Sequence, residues 1–328
     1  VGTLGLAATP SYAQIGVAAP IIVVFCRLLQ GLAIGGEVGP STALLVEAAP
    51  DGRRGMYASW QIASQGLAVV GGGLCGVVVS ASMSEADLAS WGWRLPFLIS
   101  LLLIPIAIYI RKKLPETHEG GSDMSGSHIV RTVFTKYRRY VLLGTLVMLA
   151  GTVSTQVGNY MTTYAIQTLK LPPTLAQVAT VAGGAATFLF ALASGWLSDH
   201  VGRKTMMIAP RVALTVLIVP LFLWLVASPS PVVLSFVTMT ITTRTGMSAA
   251  AALVAIPELL PVSVRSTGTS LIYSIGATLF GSSTQFIITW LIKEYGSIAP
   301  AWYTVVTSLV TLVAMAMLPE TRHVDVKK

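Results

Sequence analysis

Long apolar runs alternate with short polar segments along almost the whole chain. A helix needs about 20 mainly apolar residues to cross a bilayer, and nine complete runs are long enough. These predicted spans cover residues 17–48, 57–81, 92–110, 141–167, 174–197, 205–228, 232–259, 267–292 and 299–318. Residues 1–9 have the composition of the end of an earlier span. The pattern predicts an all-α membrane protein.

Two short motifs occur twice, once in each part of the chain. Segments 47–54 and 258–265, separated by 211 residues, share a Glu, a Pro and an Arg at the same spacing. The sequence Leu-Pro-Glu-Thr begins at Leu114 and again at Leu318. Parallel repeats of apolar spans, related by an axis along the membrane normal, are typical of a large group of secondary transporters that bind substrate between the two repeats. The repeats therefore predict two parallel halves.

Composition excludes an ordinary soluble domain. The chain is 54% hydrophobic and 10% charged, whereas soluble domains are usually about 25% charged. Cys26 and Cys75 lie inside apolar runs, where cysteine behaves as a small hydrophobe, so no disulfide is predicted. The histidines all lie outside the predicted spans and lack the spacing of metal ligands, so we expect no metal site and no cofactor. They are His118, His128, His200 and His323. An intramembrane enzyme would need a nucleophile and base, or metal ligands, inside the spans, and the sequence offers neither.

Positive charge is concentrated in alternate loops. Fifteen of the 21 Lys and Arg residues lie in one set of loops, whereas the other set contains only Lys170 and Lys293. Because Lys and Arg are enriched in cytoplasmic loops, the first set is predicted to be cytoplasmic, including the C-terminus and the polar segment 113–140. We expect an inner or plasma membrane protein. The basic residues are explained by this topology, so no nucleic acid partner is expected.

The predicted spans form two unequal groups. Residues 1–112 are interpreted as the remainder of an N-terminal helix bundle, 113–140 as a cytoplasmic linker, 141–320 as a C-terminal six-helix bundle and 321–328 as a cytoplasmic tail. Equal halves would require further spans upstream, so we expect the first half to lack about two and a half N-terminal helices, by comparison with two repeats of equal size. We expect a monomer surrounded by membrane lipid, and no closed transport pathway in this chain alone.

The connection between two late spans has an unusual arrangement of charges. It contains Asp199, followed by Gly202, Arg203 and Lys204. A carboxylate stabilises a helix N-terminus and cations stabilise helix C-termini, so this connection can hold neighbouring helix ends together. The simpler alternative is a turn whose cations only fix the orientation in the membrane. The pattern resembles the signature loop of the major facilitator superfamily, and implies that fold.

Further segments resemble the metabolite:proton symporter family within that superfamily. They are Arg27 to Gly31 with Gly35-Gly36-Glu37, Arg53 to Gly55 with Ser59-Trp60-Gln61, Trp91 to Phe97, and Pro257 to Gly268. Segments 280–285 and 299–303 are most similar to members that transport citrate or 2-oxoglutarate. The resemblance implies proton-coupled symport of an organic acid by alternating access. A symporter of a zwitterionic osmolyte, such as betaine or proline, and a non-transporting sensor with the same fold remain alternatives.

Ionisable residues inside the spans are candidates for the transport site, because they are costly in a membrane and usually face a cavity or a partner. Arg244 can offer a planar, permanently charged guanidinium to a carboxylate, or it can fix helix packing. The resemblance associates Arg27 with coupling, and we expect it opposite Arg244, with Gln30 of the same motif binding substrate. Glu37 lies about 15 Å along the helix from Arg27. It is a candidate proton-binding carboxyl, or a cap for backbone groups.

Polar and aromatic residues recur every four positions in the span 141–167. Gln156, Tyr160 and Tyr164 are predicted to share one helix face, with Asn159 beside them. Such a stripe is typical of a cavity wall, so these residues are predicted to bind substrate. Tyr164 has an alternative place in the aromatic belt at the membrane surface.

The repeated Glu–Pro–Arg motif and the signature loop are predicted to form a cytoplasmic gate. Their charged residues end or begin neighbouring spans, so ion pairs and helix-end contacts can hold the two halves together. The predicted gate residues are Glu47, Arg54, Asp199, Arg203, Glu258 and Arg265. Contacts made in only one conformation bias the equilibrium between conformations, so the gate is expected to form while the site faces outward.

Overall fold

The computed structural model of the chain describes residues 1–113, 126–322 and 324, and these residues form helices joined by short turns, without a β-strand. The helices before residue 114 are α1 (Gly2–Ala8), α2 (Tyr12–Ile15), α3 (Ala18–Glu47), α4 (Arg54–Ser82), α5 (Glu85–Ser90), α6 (Leu95–Ser100) and α7 (Leu103–Lys113). Those after residue 125 are α8 (Gly126–Lys136), α9 (Arg138–Gln167), α10 (Pro173–Val201), α11 (Arg203–Ala227), α12 (Pro231–Glu258), α13 (Val262–Gly276), α14 (Ser282–Tyr295) and α15 (Ala299–Met317).

The predicted spans are all present in the described ranges. Eight helical segments are long and apolar enough to cross a membrane. The ninth predicted span is α12, which has 28 residues but is less apolar, because Arg244 and several threonines lie in its middle. The all-helical membrane fold predicted from the apolar runs is confirmed.

Two predicted spans are not regular α-helices throughout. The span 92–109 begins with a 3₁₀ turn, Gly92–Arg94, and is interrupted by a turn at Leu101 and Leu102 between α6 and α7. Pro105 lies in the first turn of α7, where its missing N–H costs no helical hydrogen bond. A π-helix, Ala277–Gly281, joins α13 to α14.

The polar segment 113–140 is helical where the structure describes it. α8 precedes α9, and Val133 of α8 is fully buried in a core that includes Val141. The described part of this segment is therefore packed against the second half. Residues 114–125, which include the first Leu-Pro-Glu-Thr copy and His118, lie outside the described residues, as do His323 and 325–328.

The two halves meet along α4 and α10, and along α3 and α13. A Cβ added to Gly66 would lie 2.8 Å from the Gly184 carbonyl oxygen, and one added to Gly195 would lie 2.5 Å from that of Gly55. Glycine therefore lets the backbones of α4 and α10 touch at two levels. The levels are about three helical turns apart on each helix, so they lie along one continuous face.

The second half contains two hydrophobic cores, stacked along the bundle axis. Along α11, one core includes Met206 and Met207, and the other begins at Leu214; along α12, the corresponding limits are Ala251 and Ile241. Between the cores lie buried or half-buried Ser, Thr and Arg side chains, which we call the polar layer. They are Ser154, Arg211, Arg244, Thr245, Ser248, Ser308 and Thr311. The polar layer places charged groups in the middle of the bundle.

Candidate functional site

Arg244 is a half-buried cation in the polar layer. It lies on α12, which packs against both α3 and α4 of the first half. No hydrogen bond or ion pair joins its side chain to any residue that the structure describes. The neighbouring Thr245 has a buried Oγ1 that likewise lacks a partner within the described ranges. A guanidinium without a counter-charge is costly at membrane depth, so this position suits an anionic ligand.

Arg211 is a second cation in the polar layer, and is only 1% exposed. Its Nη1 donates to the Ala150 carbonyl oxygen (3.2 Å) and to Ser154 Oγ (2.9 Å), both on α9. Its Nε has no partner among the described residues. The acceptors are neutral, so the hydrogen bonds position the guanidinium without balancing its charge.

Arg211 and Arg244 lie at the same depth in the bundle. Ser248 Oγ donates to the Met207 carbonyl oxygen at 2.8 Å, which fixes the register of α11 against α12. Arg211 is four residues after Met207, and Arg244 is four residues before Ser248. Because α11 and α12 are antiparallel neighbours, both steps move one turn in the same direction.

The α9 stripe is only partly on an open surface. Gln156 Nε2 donates to the Gly281 carbonyl oxygen of the π-helix (3.1 Å), and Asn159 Nδ2 donates to Gln156 Oε1 (3.1 Å). Asn159 is exposed, and Tyr160 is half-buried against the core. These three side chains are therefore close together on one side of α9, at the level of the π-helix.

Tyr164 lies elsewhere, which corrects the expectation that it shares the open face. It is fully buried, its ring meets Phe222 edge-on, and its hydroxyl donates to the Ser297 carbonyl oxygen at 2.9 Å. An α-helix turns about 100° per residue, so eight residues rotate a side chain by about 80° from the direction of Gln156. That rotation takes Tyr164 into the core.

The first half places its candidate residues along α3. Arg27 is exposed and Nη1 donates to Gln30 Oε1 (3.2 Å), while Gln30 Nε2 donates to Thr3 Oγ1 of α1 (3.0 Å). The repeat interval of 211 residues makes Ala33 the counterpart of Arg244, about 9 Å along α3 from Arg27. Arg27 therefore lies nearer to the N-terminal end of α3 than Arg244 lies to the N-terminal end of α12. The side chain of Glu37 is exposed, so the buried environment expected for a proton-binding carboxyl is not found around it.

The predicted gate residues come together at one end of the bundle, where α4, α11 and α13 begin; we call this group the charged cluster. Asp199, in the last turn of α10, accepts hydrogen bonds from the backbone N–H groups of Gly55 (2.8 Å) and Met56 (2.9 Å). These donors belong to the first turn of α4, which has no side-chain cap of its own. A residue of the second half therefore caps a helix of the first half.

Arg203 links three parts of the charged cluster. Its Nη1 lies 2.6 Å from Asp199 Oδ1, and its Nη2 lies 3.4 Å from Glu258 Oε1. Glu258 also accepts a hydrogen bond from Thr321 Oγ1 at 2.6 Å. Arg203 and Glu258 are 2% and 4% exposed, so removing one partner would leave the other buried without its counter-charge.

A second ion pair joins the two copies of the Glu–Pro–Arg motif. Arg265 Nη1 lies 3.1 Å from Glu47 Oε1, and Arg265 Nε donates to the carbonyl oxygens of Pro257 and Leu260. Arg54, the counterpart of Arg265 in the first copy, lies 3.8 Å from Asp51 instead. The repeat is thus symmetric in sequence, while its ion pairs are asymmetric.

Glu320 and Lys204 hold α11 and α15 together beside the charged cluster. Glu320 accepts hydrogen bonds from the backbone N–H groups of Arg203 (2.9 Å) and Lys204 (3.0 Å), in the first turn of α11. Lys204 Nζ donates to the carbonyl oxygens of Ala316 and Leu318 at the end of α15. Desolvation of the Glu320 carboxylate opposes its ionisation. Hydrogen bonds from the backbone N–H groups of Lys204 and Arg203, and of the two residues that follow Glu320, outweigh this effect and lower the pKa of Glu320.

Comparison with known proteins identifies the fold that carries these groups. The model of the Major Facilitator Superfamily matches residues 1–282, most of the chain. The chain belongs to the major facilitator superfamily. A citrate-proton symporter of Salmonella typhi is 33% identical over 322 residues, which cover 97% of this chain and 74% of the symporter. An alpha-ketoglutarate permease of Escherichia coli (strain K12) is 30% identical over 332 residues, covering 97% of this chain and 74% of the permease.

A solved structure supports the same fold. It is that of a proton:xylose symporter of the major facilitator superfamily, bound to 6-bromo-6-deoxy-D-glucose, with a TM-score of 0.77. The two chains are 15% identical, and the match covers 100% of this chain and 79% of the other. At this identity the likeness concerns the fold alone. The chain is a multi-pass membrane protein of a transporter family.

Asp199 and Arg203 were recognisable from the sequence pattern, whereas Arg211 and Glu320 were not predicted to belong to the site. Arg211 lies in an apolar run in the sequence and has no motif around it, so nothing but its charge at that depth distinguishes it. Glu320 belongs to the repeated Leu-Pro-Glu-Thr segment. That repetition was the available signal for a structural role.

Proposed function

We propose that this protein is a proton-coupled symporter of an organic acid, such as citrate, 2-oxoglutarate or a related carboxylate, that works by alternating access. The observation that carries the proposal is Arg244, a guanidinium in the polar layer with no counter-charge in the described part of the chain. An Arg fork suits a carboxylate, because it is always charged and can donate two parallel hydrogen bonds. The relatives named as citrate-proton symporter and alpha-ketoglutarate permease support the same class of substrate.

The substrate site is proposed to lie between the halves, near the middle of the membrane. Arg244 provides the anionic subsite on α12, and the amide groups of Gln156 and Asn159 provide neutral hydrogen bonds from α9. Tyr160 contributes an aromatic side chain at the edge of this site. Tyr164 is left out of this proposal, because its hydroxyl is engaged with Ser297.

Coupling is proposed to use α3. Arg27 and Gln30 are joined by a hydrogen bond and contact α1 through Thr3, so a change at Arg27 is transmitted to a neighbouring helix. Glu37 is exposed on the same helix and is proposed as the proton-binding carboxyl. Alternating access would require it to be reached by water in one conformation and shielded from water in another.

The charged cluster is proposed to be the cytoplasmic gate. Asp199 and Arg265 each bridge the two halves, through the first turn of α4 and through Glu47. The excess of Lys and Arg in the loops at this end supports the cytoplasmic orientation. Closing this end leaves a site in the polar layer accessible from the other side.

The test is uptake by the full-length protein, purified and reconstituted in liposomes, with labelled citrate, 2-oxoglutarate and betaine, in the presence and absence of a proton gradient. We expect gradient-driven uptake of the two acids, and at least a tenfold loss of that uptake in Arg244→Gln, since a lost charged hydrogen bond costs about 1.5–3 kcal/mol. Arg131→Gln, on exposed α8 surface, is the matched control.

Two other results would replace the proposal. Uptake of betaine with no competition from citrate would indicate a zwitterionic osmolyte symporter. Specific binding without uptake would indicate a sensor with the transporter fold. Unchanged citrate uptake by Arg244→Gln would remove Arg244 from the site.

A further inference from the structure

We propose that Arg211 is a second carboxylate-binding residue of the transport site, reached from the open side of α9 through the gap that Gly151 leaves. The inference rests on the proposed function, since it assigns a second carboxylate of the same organic anion to a second guanidinium. It also makes the site selective for substrates with two or more carboxylates.

The first observation is that the hydrogen bonding of Arg211 is incomplete. Both acceptors of Nη1, the Ala150 carbonyl oxygen and Ser154 Oγ, are neutral, and Nε has no partner in the described ranges. A buried guanidinium is stabilised by a carboxylate that accepts from two of its nitrogens. Arg211 therefore has both the charge and the free donors for such a ligand.

The second observation is the space beside Gly151. This glycine is half-buried. A Cβ added to it would have a single neighbour within 4 Å outside its own helix turns, and that neighbour is Nη2 of Arg211, at 4.0 Å. Thr155, one turn further along the same side of α9, is exposed. Because Gly151 has no side chain, Arg211 Nη2 is the group nearest to any ligand that occupies this space.

The third observation is the position of Arg211 relative to Arg244. The Ser248–Met207 hydrogen bond sets these two residues at one depth on adjacent helices. Thr245 Oγ1 and Ser308 Oγ are buried in the same polar layer, without partners within the described residues. A polycarboxylate can neutralise both cations and use these hydroxyls, whereas a zwitterion with one carboxylate can neutralise only one.

The decisive variant is Gly151→Ala. Its methyl group would be in ordinary van der Waals contact with Arg211 Nη2, and alanine is favourable in a helix, so the fold should be retained. We expect binding of labelled citrate by the purified protein to weaken about tenfold, as for a lost charged hydrogen bond, with a further loss in Gly151→Val. Binding of lactate, a monocarboxylate, should change less than twofold. Gly71→Ala, whose Cβ would meet nothing within 4 Å, should leave both affinities unchanged.

A second variant separates binding from packing. Arg211→Gln should lower the ratio of citrate to lactate affinity, and Arg211→Lys should restore part of it, because Lys keeps the charge but not the fork. A purely structural Arg211 would change thermal stability and leave that ratio as in the wild type. Wild-type citrate affinity in both Gly151→Ala and Gly151→Val would overturn the inference while leaving the proposed function standing. Failure of the wild-type protein to bind any carboxylate would overturn both.

Discussion

At the scale of single residues, carboxylates in this protein accept hydrogen bonds from backbone N–H groups as well as from cationic side chains. Asp199 accepts from the first turn of α4, and Glu320 accepts from the first turn of α11. The first N–H groups of a helix have no partner within the helix, and their partial positive charge favours an anion. Both carboxylates therefore fix where a helix begins.

The Glu320 cap predicts a dependence of stability on pH. Its hydrogen bonds lower the pKa of Glu320 from the ordinary value of 4.5, so the unfolded state binds the proton more readily. The stabilisation is complete above about pH 4.5 and is lost as the pH falls through the lowered pKa. We expect the melting temperature of wild-type protein to fall more steeply below that pH than that of Glu320→Gln.

Thermal unfolding monitored by intrinsic fluorescence, in detergent, would measure this difference. Glu294→Gln, on the exposed end of α14, should keep the wild-type profile. Parallel profiles for Glu320→Gln and wild type would show that the cap does not respond to protons.

The charged residues of the site are easier to predict from the sequence than their partners are. The pattern around Asp199 correctly indicated a helix N-terminus, but the helix that it caps is 144 positions away in the chain. Arg211 gave no local signal, because its acceptors are a backbone carbonyl and a serine on another helix. Such partners are determined by long-range packing. The spacing of apolar residues along one helix does not indicate which residues of other helices pack against it.

At the scale of helices, the contact between α4 and α10 depends on glycine. The carbonyl oxygens of Gly66 and Gly184 each lie 2.8 Å from the position of a Cβ on the other residue. Within a bilayer, close backbone contact of this kind replaces much of the hydrophobic driving force between helices. The interface between the halves is thus a closely packed contact of small residues.

Gly184→Ala should disturb this interface. The added Cβ would meet the backbone atoms Gly66 O and Val70 N at 2.8 and 2.9 Å, which only separation of the helices can relieve. Overpacking of this kind costs about 1–3 kcal/mol, so we expect a lower melting temperature and reduced uptake. The same substitution at Gly72, where a Cβ would meet nothing within 4 Å, is the control. An unchanged melting temperature in Gly184→Ala would contradict close helix contact.

Apolar runs were sufficient to predict the spans, since burial in lipid imposes one requirement on every helix. They could not reveal the break at Leu101 and Leu102 or the π-helix Ala277–Gly281. Both irregularities occur inside apolar sequence. The π-helix is tolerated because neighbouring groups use its carbonyls, as Gln156 uses that of Gly281.

At the scale of the whole molecule, contacts in the charged cluster bridge the halves, among them that of Asp199 with the start of α4 and that of Glu47 with Arg265. The first is buried, whereas the Glu47 side chain is 43% exposed. Exposed ion pairs contribute little, and buried charged contacts contribute more. The gate is therefore expected to depend mainly on Asp199.

Asp199→Asn should favour separation of the halves at this end. The amide keeps one acceptor for α4 but loses the charge that Arg203 requires. The measurement is maleimide labelling of Val46→Cys, a position that is 1% exposed against Ala58 and Val254, after replacement of Cys26 and Cys75. We expect faster labelling in the Asp199→Asn background.

Asp51→Cys, at a side chain that is 85% exposed, should label at the same rate with and without Asp199→Asn. Equal rates at Val46→Cys, together with normal uptake, would reduce the repeated motif to a signal for membrane topology.

The capping of α4 by Asp199 has a consequence for how this site changes during evolution. Its partners on α4 are main-chain groups, which every residue except proline supplies. Replacement of Met56 by any residue except proline should therefore keep the contact, whereas a side chain at Gly55 would clash with the Gly195 carbonyl oxygen. In homologous sequences we therefore expect an invariant acid at the position of Asp199 and no basic residue on α4 that varies together with it. Methods that infer contacts from correlated substitutions should miss this contact.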